Sequence, residues 1–267
     1  MSPTFHICSV WGDDCLASDD IGKRVLQTLQ RLEPLAPVMH NWAFLDRRSA
    51  RGIPLARASS RMTALVESNV MRDDAGEPTE VAGYRIHAYG WEVPETWDAR
   101  TVRIDFHAGS KWSNEIDFQI GDVPFPGEIP LPTDFSVVTY PVFKGALEAF
   151  ATVWPLPWAL AYAFDLETRP IDAATGSGVR RSPFEGAWIA YLSAPLADGL
   201  TVPPEIATER TPGGGLVLTA LGEPVDRTKP DDMRRSRLLE RIMLERVGVQ
   251  GTNRSRRPDR SARKGPY

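Results

Sequence analysis

The sequence predicts an α+β protein of one domain, in which a mixed or antiparallel sheet with a central three-stranded meander packs against several helices. Three observations carry this prediction. Apolar and polar residues alternate in three successive runs between residues 84 and 120, helical stripes occur on both sides of these runs, and no long Pro- or Ser-rich linker divides residues 1–249. The 267 residues, 42% hydrophobic and 25% charged, exclude fibrous and wholly disordered chains.

The first part of the chain predicts two strands and two helices. Residues typical of a half-buried strand stand at every second position near the N-terminus: Phe5, Ile7, Ser9 and Trp11. Ser18 is expected to cap the following helix, whose acidic first turn complements the helix dipole. The apolar stripe of this helix recurs at helical spacing: Ile21, Val25, Leu29 and Leu32. A second strand is predicted over residues 39–45 and a shorter helix over residues 61–71.

Residues 84–120 carry the clearest strand signal. The three alternating runs begin at Tyr84, Val102 and Ile116. Such runs in succession predict an antiparallel meander with one face on a core and the other in water. The surrounding segment, residues 67–134, holds 14 acidic residues against 5 basic ones, so we expect the water-facing side of the meander to be acidic.

The rest of the body continues the alternation of helices and strands. The predicted elements are a helix ending at Trp154, strands over residues 158–164 and 186–192, a hairpin of residues 205–210 and 216–221, and a helix from Pro230 to Gly248. A Pro-rich loop at residues 124–132 and a Gly- and Ser-rich stretch at residues 173–178 are predicted to be connections.

Charge separates the chain into a body, residues 1–249, and a tail, residues 250–267. The body holds 25 basic and 34 acidic residues, which is a net charge of −9, while six basic residues and one acidic residue make the tail +5. The tail is expected to be a disordered, solvated terminus. Because the body is acidic, we expect it to repel DNA and to suit a positively charged protein partner. The oligomeric state is left open.

No targeting or membrane-spanning segment is predicted. The N-terminal residues lack a basic region followed by a continuous apolar stretch, and Lys144 and Glu148 are among the residues that interrupt the most apolar run, residues 137–164. Cys8 and Cys15 match no metal-binding spacing and suit a reducing compartment. These observations predict a cytoplasmic protein.

The sequence contains none of the common catalytic or cofactor-binding motifs. Gly-x-Gly-x-x-Gly, the P-loop and Gly-x-Ser-x-Gly are missing, and no Asp or Glu stands two positions before a Lys, as a nuclease of restriction-endonuclease type requires. We therefore expect no cofactor, no metal ion and no enzymatic activity. The alternative is a small hydrolase or metal-dependent enzyme with an unfamiliar site, for which His107, Asp105 and His87 are the candidates.

Dispersed aromatic and glycine-containing segments carry a family resemblance over residues 5–247. The segments are Val10, Trp11 and Gly12; Leu26, Leu29 and Leu32; Trp42 and Phe44; residues 72–77; residues 154–158; and residues 186–193. On these segments the chain resembles the immunity protein 52 family of bacterial polymorphic toxin systems. The resemblance implies an antitoxin that binds and blocks a cognate nuclease toxin of restriction-endonuclease fold, delivered by a type VI or related secretion system.

The outer face and the ends of the meander are the predicted toxin-binding surface. A nuclease active site is basic because it holds phosphates, so an acidic inhibitor would be steered to it. The candidate contact residues are Arg85, His87, Glu92, Glu95, Arg103, Asp105, Trp112, Glu115 and Asp117. We expect aromatic and Arg anchors to supply most of the binding energy. Occlusion of the toxin's active site and inhibition by another mode are both left open.

Overall fold

Ten antiparallel strands form one continuous sheet in the part of the chain that the structure describes. The structure is a computed structural model, and it describes residues 3–45, 52–73, 75–91, 102–121, 133–164 and 184–248. In chain order the strands are β1 (Thr4–Trp11), β2 (Asn41–Leu45), β3 (Gly52–Pro54), β4 (Tyr84–Trp91), β5 (Val102–Ala108), β6 (Asn114–Ile120), β7 (Trp158–Phe164), β8 (Ala187–Leu192), β9 (Ala207–Arg210) and β10 (Leu216–Thr219). Their order across the sheet is β3-β2-β4-β5-β6-β1-β7-β8-β10-β9, with antiparallel neighbours throughout.

The helices pack on both faces of this sheet. They are α1 (Ser18–Leu32), α2 (Leu55–Ala58), α3 (Met62–Ser68), α4 (Tyr140–Val153), α5 (Ala194–Ala197) and α6 (Pro230–Val247), with short 3₁₀ turns at Glu33–Leu35, Pro37–Met39, Ser59–Arg61 and Glu80–Ala82. Helices α1 and α4 cover one face, whereas α6 packs against β8 on the opposite face. In the part of the chain that the structure describes, no helix is both long and apolar enough to cross a lipid bilayer.

Aromatic side chains fill the core between the sheet and helices α1 and α4. Phe118 of β6 meets Phe143 and Phe150 of α4 edge to face, with ring centroids 5.9 and 6.0 Å apart. Trp154, which follows α4, stacks on Phe106 at 5.7 Å. Its indole N–H donates a 2.9 Å hydrogen bond to Oγ1 of Thr28 in α1. The indole thus buries its apolar body and keeps a polar partner, and it joins the two helices above the strands.

Helix α6 divides the opposite face of the sheet into two regions. Strand β8 is buried at every position and reads as a continuous apolar run, because helices cover it on both sides. Strand β5 instead alternates buried and half-buried residues, and most of β6 does the same, since no described helix packs on their opposite face. The region of the opposite face formed by β4, β5, β6 and β1 therefore carries polar side chains.

The predicted fold class is confirmed, and most predicted elements are present close to their expected bounds. The three-stranded meander is β4, β5 and β6, but it is the middle of a much larger sheet. The elements β3, α2 and α5 are additions to those predicted. The expected cap is wrong: Ser18 is the first helical residue, and its hydroxyl donates to Glu67 of α3 at 3.1 Å. The predicted connections at residues 124–132 and 173–178, and the tail at residues 250–267, lie outside the described residues.

Candidate protein-binding surface

The register of four strands builds what we call the polar face. It consists of Arg85, His87 and Tyr89 of β4, Arg103, Asp105 and His107 of β5, Glu115, Asp117 and Gln119 of β6, and His6 and Cys8 of β1. Each of these positions is the alternate of a residue that points into the core, which is why the sequence places polar groups there. The candidates Glu92 and Glu95 lie outside the described residues.

Asp105 is the centre of an ion-paired cluster. Its side chain is only 13% exposed, and Arg103 donates to its two oxygens at 2.8 and 2.5 Å. His87 Nδ1 contacts the same carboxylate, and a guanidinium nitrogen of Arg85 lies 3.8 Å from it. Burial by itself would raise the pKa of Asp105, but the hydrogen bonds from His87 and Arg103 outweigh it and hold the pKa at about 2. Asp105 is therefore charged and internally compensated.

Two carboxylates face each other across the polar face. Asp105 and Asp117 are direct cross-strand partners, an arrangement in which like charges repel. Each is matched by a histidine on its outer side, since His87 contacts Asp105 and His6 Nδ1 lies 3.1 Å from Asp117. The other ring nitrogen of His6 lies 3.1 Å from the hydroxyl of Thr4. The four groups run in the order histidine, carboxylate, carboxylate and histidine over three strand pairs, with His87 directly opposite Asp105 and His6 diagonal to Asp117, opposite Gln119.

His107 is held away from this row. Its Nε2 lies 2.8 Å from the carbonyl oxygen of Ala82, to which it donates a hydrogen bond. Burial lowers the pKa of His107 despite that bond, and the nearby Arg85 charge lowers it further. The structure therefore joins His87 to Asp105 but directs His107 elsewhere. Among the described residues, no group of three or more His, Cys, Asp or Glu side chains is arranged to hold a metal ion.

The charge of the polar face is more balanced than the sequence predicts. Its described carboxylates are Asp105, Glu115 and Asp117, against the guanidinium groups of Arg85 and Arg103. Most of its side chains are half-buried, whereas the Arg85 side chain is 47% exposed. Accessible charge is thus concentrated near the end of the face at which β4 begins and β6 follows its turn.

Trp112 lies at that end of the polar face, in the turn between β5 and β6. The residue is 68% exposed, the largest exposure among the large hydrophobic residues whose burial the structure describes. The sequence predicts Trp112 as a contact residue because it stands between two strongly alternating runs. The sequence does not predict Val81, which lies beside the turn, or His6, which belongs to the face only because β1 pairs with β6.

The fold and this surface define a class: an α+β protein on one antiparallel sheet, with a polar sheet face and an exposed aromatic turn suited to contact with another macromolecule. The sequence matches no family model and no curated protein. Among solved structures that match, the Pseudomonas aeruginosa T6SS protein PA0821 superposes with a TM-score of 0.52 and 10% sequence identity. The match covers 92% of this chain and 73% of that chain. At this identity the similarity shows a shared fold.

Proposed function

We propose that this chain is an immunity protein of a type VI secretion system, which binds and neutralises a cognate nuclease toxin of restriction-endonuclease fold. The observation that carries the proposal is the fold shared with a T6SS protein over nearly the whole chain. The family resemblance of the sequence adds the immunity role and the nuclease target. An inhibitor of a nuclease acts where the nucleic acid is, so we place its action in the cytoplasm of the producing cell.

The proposed contact surface comprises the polar face and the Trp112 turn. Within it, the seven candidate residues that the structure describes divide by accessibility. Trp112 and Arg85 are exposed and suited to direct contact, and Glu115 and Asp117 are half-buried at the face. Asp105, Arg103 and His87 form the internal cluster, and we assign them the role of holding the face in shape. Glu92 and Glu95 complete the proposal from the sequence.

The physical basis of the proposed affinity is charge steering followed by desolvation at a few anchors. A body with a net charge of −9 attracts a basic nuclease at long range, and this attraction weakens as salt is added. Short-range contacts at the aromatic turn then determine the dissociation rate. No step of this mechanism requires chemistry by the immunity protein.

The enzyme alternative rests on His87, Asp105 and His107, and it has less support. A general base needs its histidine oriented by a carboxylate, as His87 is by Asp105, but the same carboxylate is also bound by Arg103. His107 donates to a backbone carbonyl and does not contact the other two. We therefore propose a binding protein without catalytic activity.

Binding to the protein encoded by the adjacent gene tests the proposal. That protein is purified as a catalytically inactive variant, and its affinity for this chain is measured by calorimetry at two salt concentrations. We expect submicromolar binding that weakens with salt, and rescue of cell growth when both are co-expressed with the active protein. Absence of both binding and rescue would overturn the proposal.

A charge-reversal pair tests the proposed surface. Changing Glu115 and Asp117 together to Lys should weaken binding at least about tenfold and reduce its salt dependence. The matched control is Glu33→Lys with Glu223→Lys, which makes the same change of charge at exposed positions away from the polar face. Equal effects of the two pairs would show that only the total charge matters. Asp105 is left unchanged because its side chain is more buried than that of Asp117, 13% against 28% exposed, and is bound by Arg103 as well as by a histidine.

A further inference from the structure

We infer that Trp112, with Val81 beside it, is a preorganised anchor that inserts into an apolar cleft on the partner. This inference rests on the proposed function and identifies which part of the surface dominates binding. The occupant to which it commits is the positively charged toxin, whose apolar cleft would be bordered by Lys or Arg side chains.

The two side chains are exposed against the trend of the whole described chain. Trp112 is 68% exposed and Val81 is 49% exposed, and Phe135 at 58% is the other exposed large hydrophobic residue of the described ranges. The segments of Trp112 and Val81 are joined directly, because the backbone N–H of Lys111 donates to the carbonyl oxygen of Val81 at 3.0 Å. Exposed aromatic residues of this kind are enriched among the anchors of protein interfaces.

A buried polar network holds the backbone beneath Trp112. The hydroxyl of Ser110, which is almost completely buried, accepts hydrogen bonds from the backbone N–H groups of Trp112 and Ser113 at 3.1 and 3.2 Å. The Asn114 side chain, fully buried, accepts from the Ser110 N–H at 2.9 Å and donates to the Gly12 carbonyl at 2.7 Å. Buried polar groups satisfied in this way specify one conformation of the turn.

Two glycines allow the neighbouring segments to approach the turn closely. Gly83 and Gly109 have φ values of +78° and +77°. A Cβ atom at Gly83 would lie 2.5 Å from the carbonyl oxygen of Ala108, and one at Gly109 would lie 2.9 Å from that of Leu16. Close packing on both sides therefore fixes the backbone of the turn, so little backbone conformational entropy is lost when Trp112 is bound.

The border of the anchor carries charges of both signs, with the acidic groups in excess. The loop at residues 12–16 lies against the turn, with the Asp14 N–H 3.5 Å from the Ser110 carbonyl, and it carries exposed Asp13. Glu115 follows the turn on the polar face, and the basic side chains at this end are Lys111 and the exposed Arg85. Three acidic groups against two basic ones, on a body with a net charge of −9, complement an apolar cleft bordered by Lys or Arg and disfavour an acidic partner.

Two single substitutions and one control test the anchor. The binding partner is the inactive variant of the adjacent gene's protein, and affinity is measured for the full-length chain. We expect Trp112→Ala to weaken binding about 30-fold or more, Trp112→Phe to recover part of this loss, and Val81→Asp to weaken binding at least about tenfold. The control, Phe135→Ala, removes another exposed aromatic residue, 58% exposed and near the other end of β6, and should change affinity less than about threefold.

Thermal unfolding of each variant separates loss of contact from loss of folding. We expect the Tm of the Trp112 and Val81 variants to be unchanged, because both side chains are on the surface. If the wild-type chain binds, and Trp112→Ala and Val81→Asp bind with the same affinity, the proposed anchor is wrong and the proposed function stands. If the wild-type chain itself does not bind, both the proposed function and the proposed anchor are wrong. An equal loss in Trp112→Ala and Phe135→Ala also overturns the anchor.

Discussion

Replacing Asp105 by Asn is the most direct test of the ion-paired cluster in the polar face. The substitution keeps the shape of the side chain and removes its charge. In the folded protein the pKa of Asp105 is about 2, against an ordinary value of 3.8. Since one pKa unit corresponds to about 1.4 kcal/mol, the difference contributes about 2 kcal/mol to the free energy of unfolding at neutral pH. Asp105→Asn should lose about this amount, which already includes the loss of the charged partner of Arg103.

The sign of the pH dependence follows from the lowered pKa. A carboxyl whose pKa falls on folding stabilises the protein fully above its unfolded pKa, and the stabilisation is lost as pH falls from about 4 through about 2. The difference in stability between wild type and Asp105→Asn should therefore be nearly full at pH 5, clearly smaller at pH 3 and mostly lost at pH 2.

Urea unfolding followed by circular dichroism at pH 7, 5, 3 and 2 measures this difference directly. Glu223→Gln, at an exposed position far from the cluster, is the control and should change stability by less than about 0.5 kcal/mol. The reasoning is refuted if Asp105→Asn costs no more than this control at pH 7, or if the difference from wild type stays constant between pH 5 and pH 2.

Further predictions concern the turn, the isolated histidine and the contact surface. Asn114→Ala removes a fully buried side chain and leaves the Gly12 carbonyl and the Ser110 N–H without this partner, so chemical denaturation should show a loss of about 2–4 kcal/mol, whereas Ser113→Ala in the same turn should cost little. His107 should titrate below its ordinary pKa of 6.5 in an NMR experiment, because burial lowers its pKa. Its contribution to stability should decline as pH falls below 6.5, since the unfolded chain then binds the proton more readily. A titration midpoint above 6.5 would contradict the burial argument. The Lys variants of Glu115 and Asp117 should change the association rate more than the dissociation rate, and Trp112→Ala should do the reverse, as stopped-flow and surface-plasmon measurements can separate.

The meander and the main helices could be predicted because their signals are local. Apolar residues at every second position indicate a strand with one buried face, and the spacing of three and four in α1 indicates an amphipathic helix. The exposure of Trp112 could be predicted in the same way, because the residues of a turn between two alternating strands lie at the surface. These features depend on residues close together in the sequence, so the spacing of apolar and polar residues is enough to predict them.

The composition of the candidate site depends instead on pairs of residues far apart in the chain. Strand β1, the first in sequence, lies between β6 and β7, which brings His6 to Asp117 over 111 positions. Helix α6, near the end of the chain, packs over β8 and leaves the meander without a described helix on its polar side. Neither the position of β1 in the sheet nor the packing of α6 over β8 has a local signature in the sequence, because apolar strands of similar length can pair in several orders.

Charge shows the same division between local pattern and tertiary structure. The sequence establishes that the body is acidic and that its excess lies in residues 67–134. Only the folded sheet shows that Asp105 is compensated by Arg103 and His87, and that an exposed Trp112 stands on a buried Ser110 and Asn114 network at the end of the polar face. Composition counts charges, whereas Coulomb energies and burial depend on distance and dielectric, which the three-dimensional packing of distant segments determines.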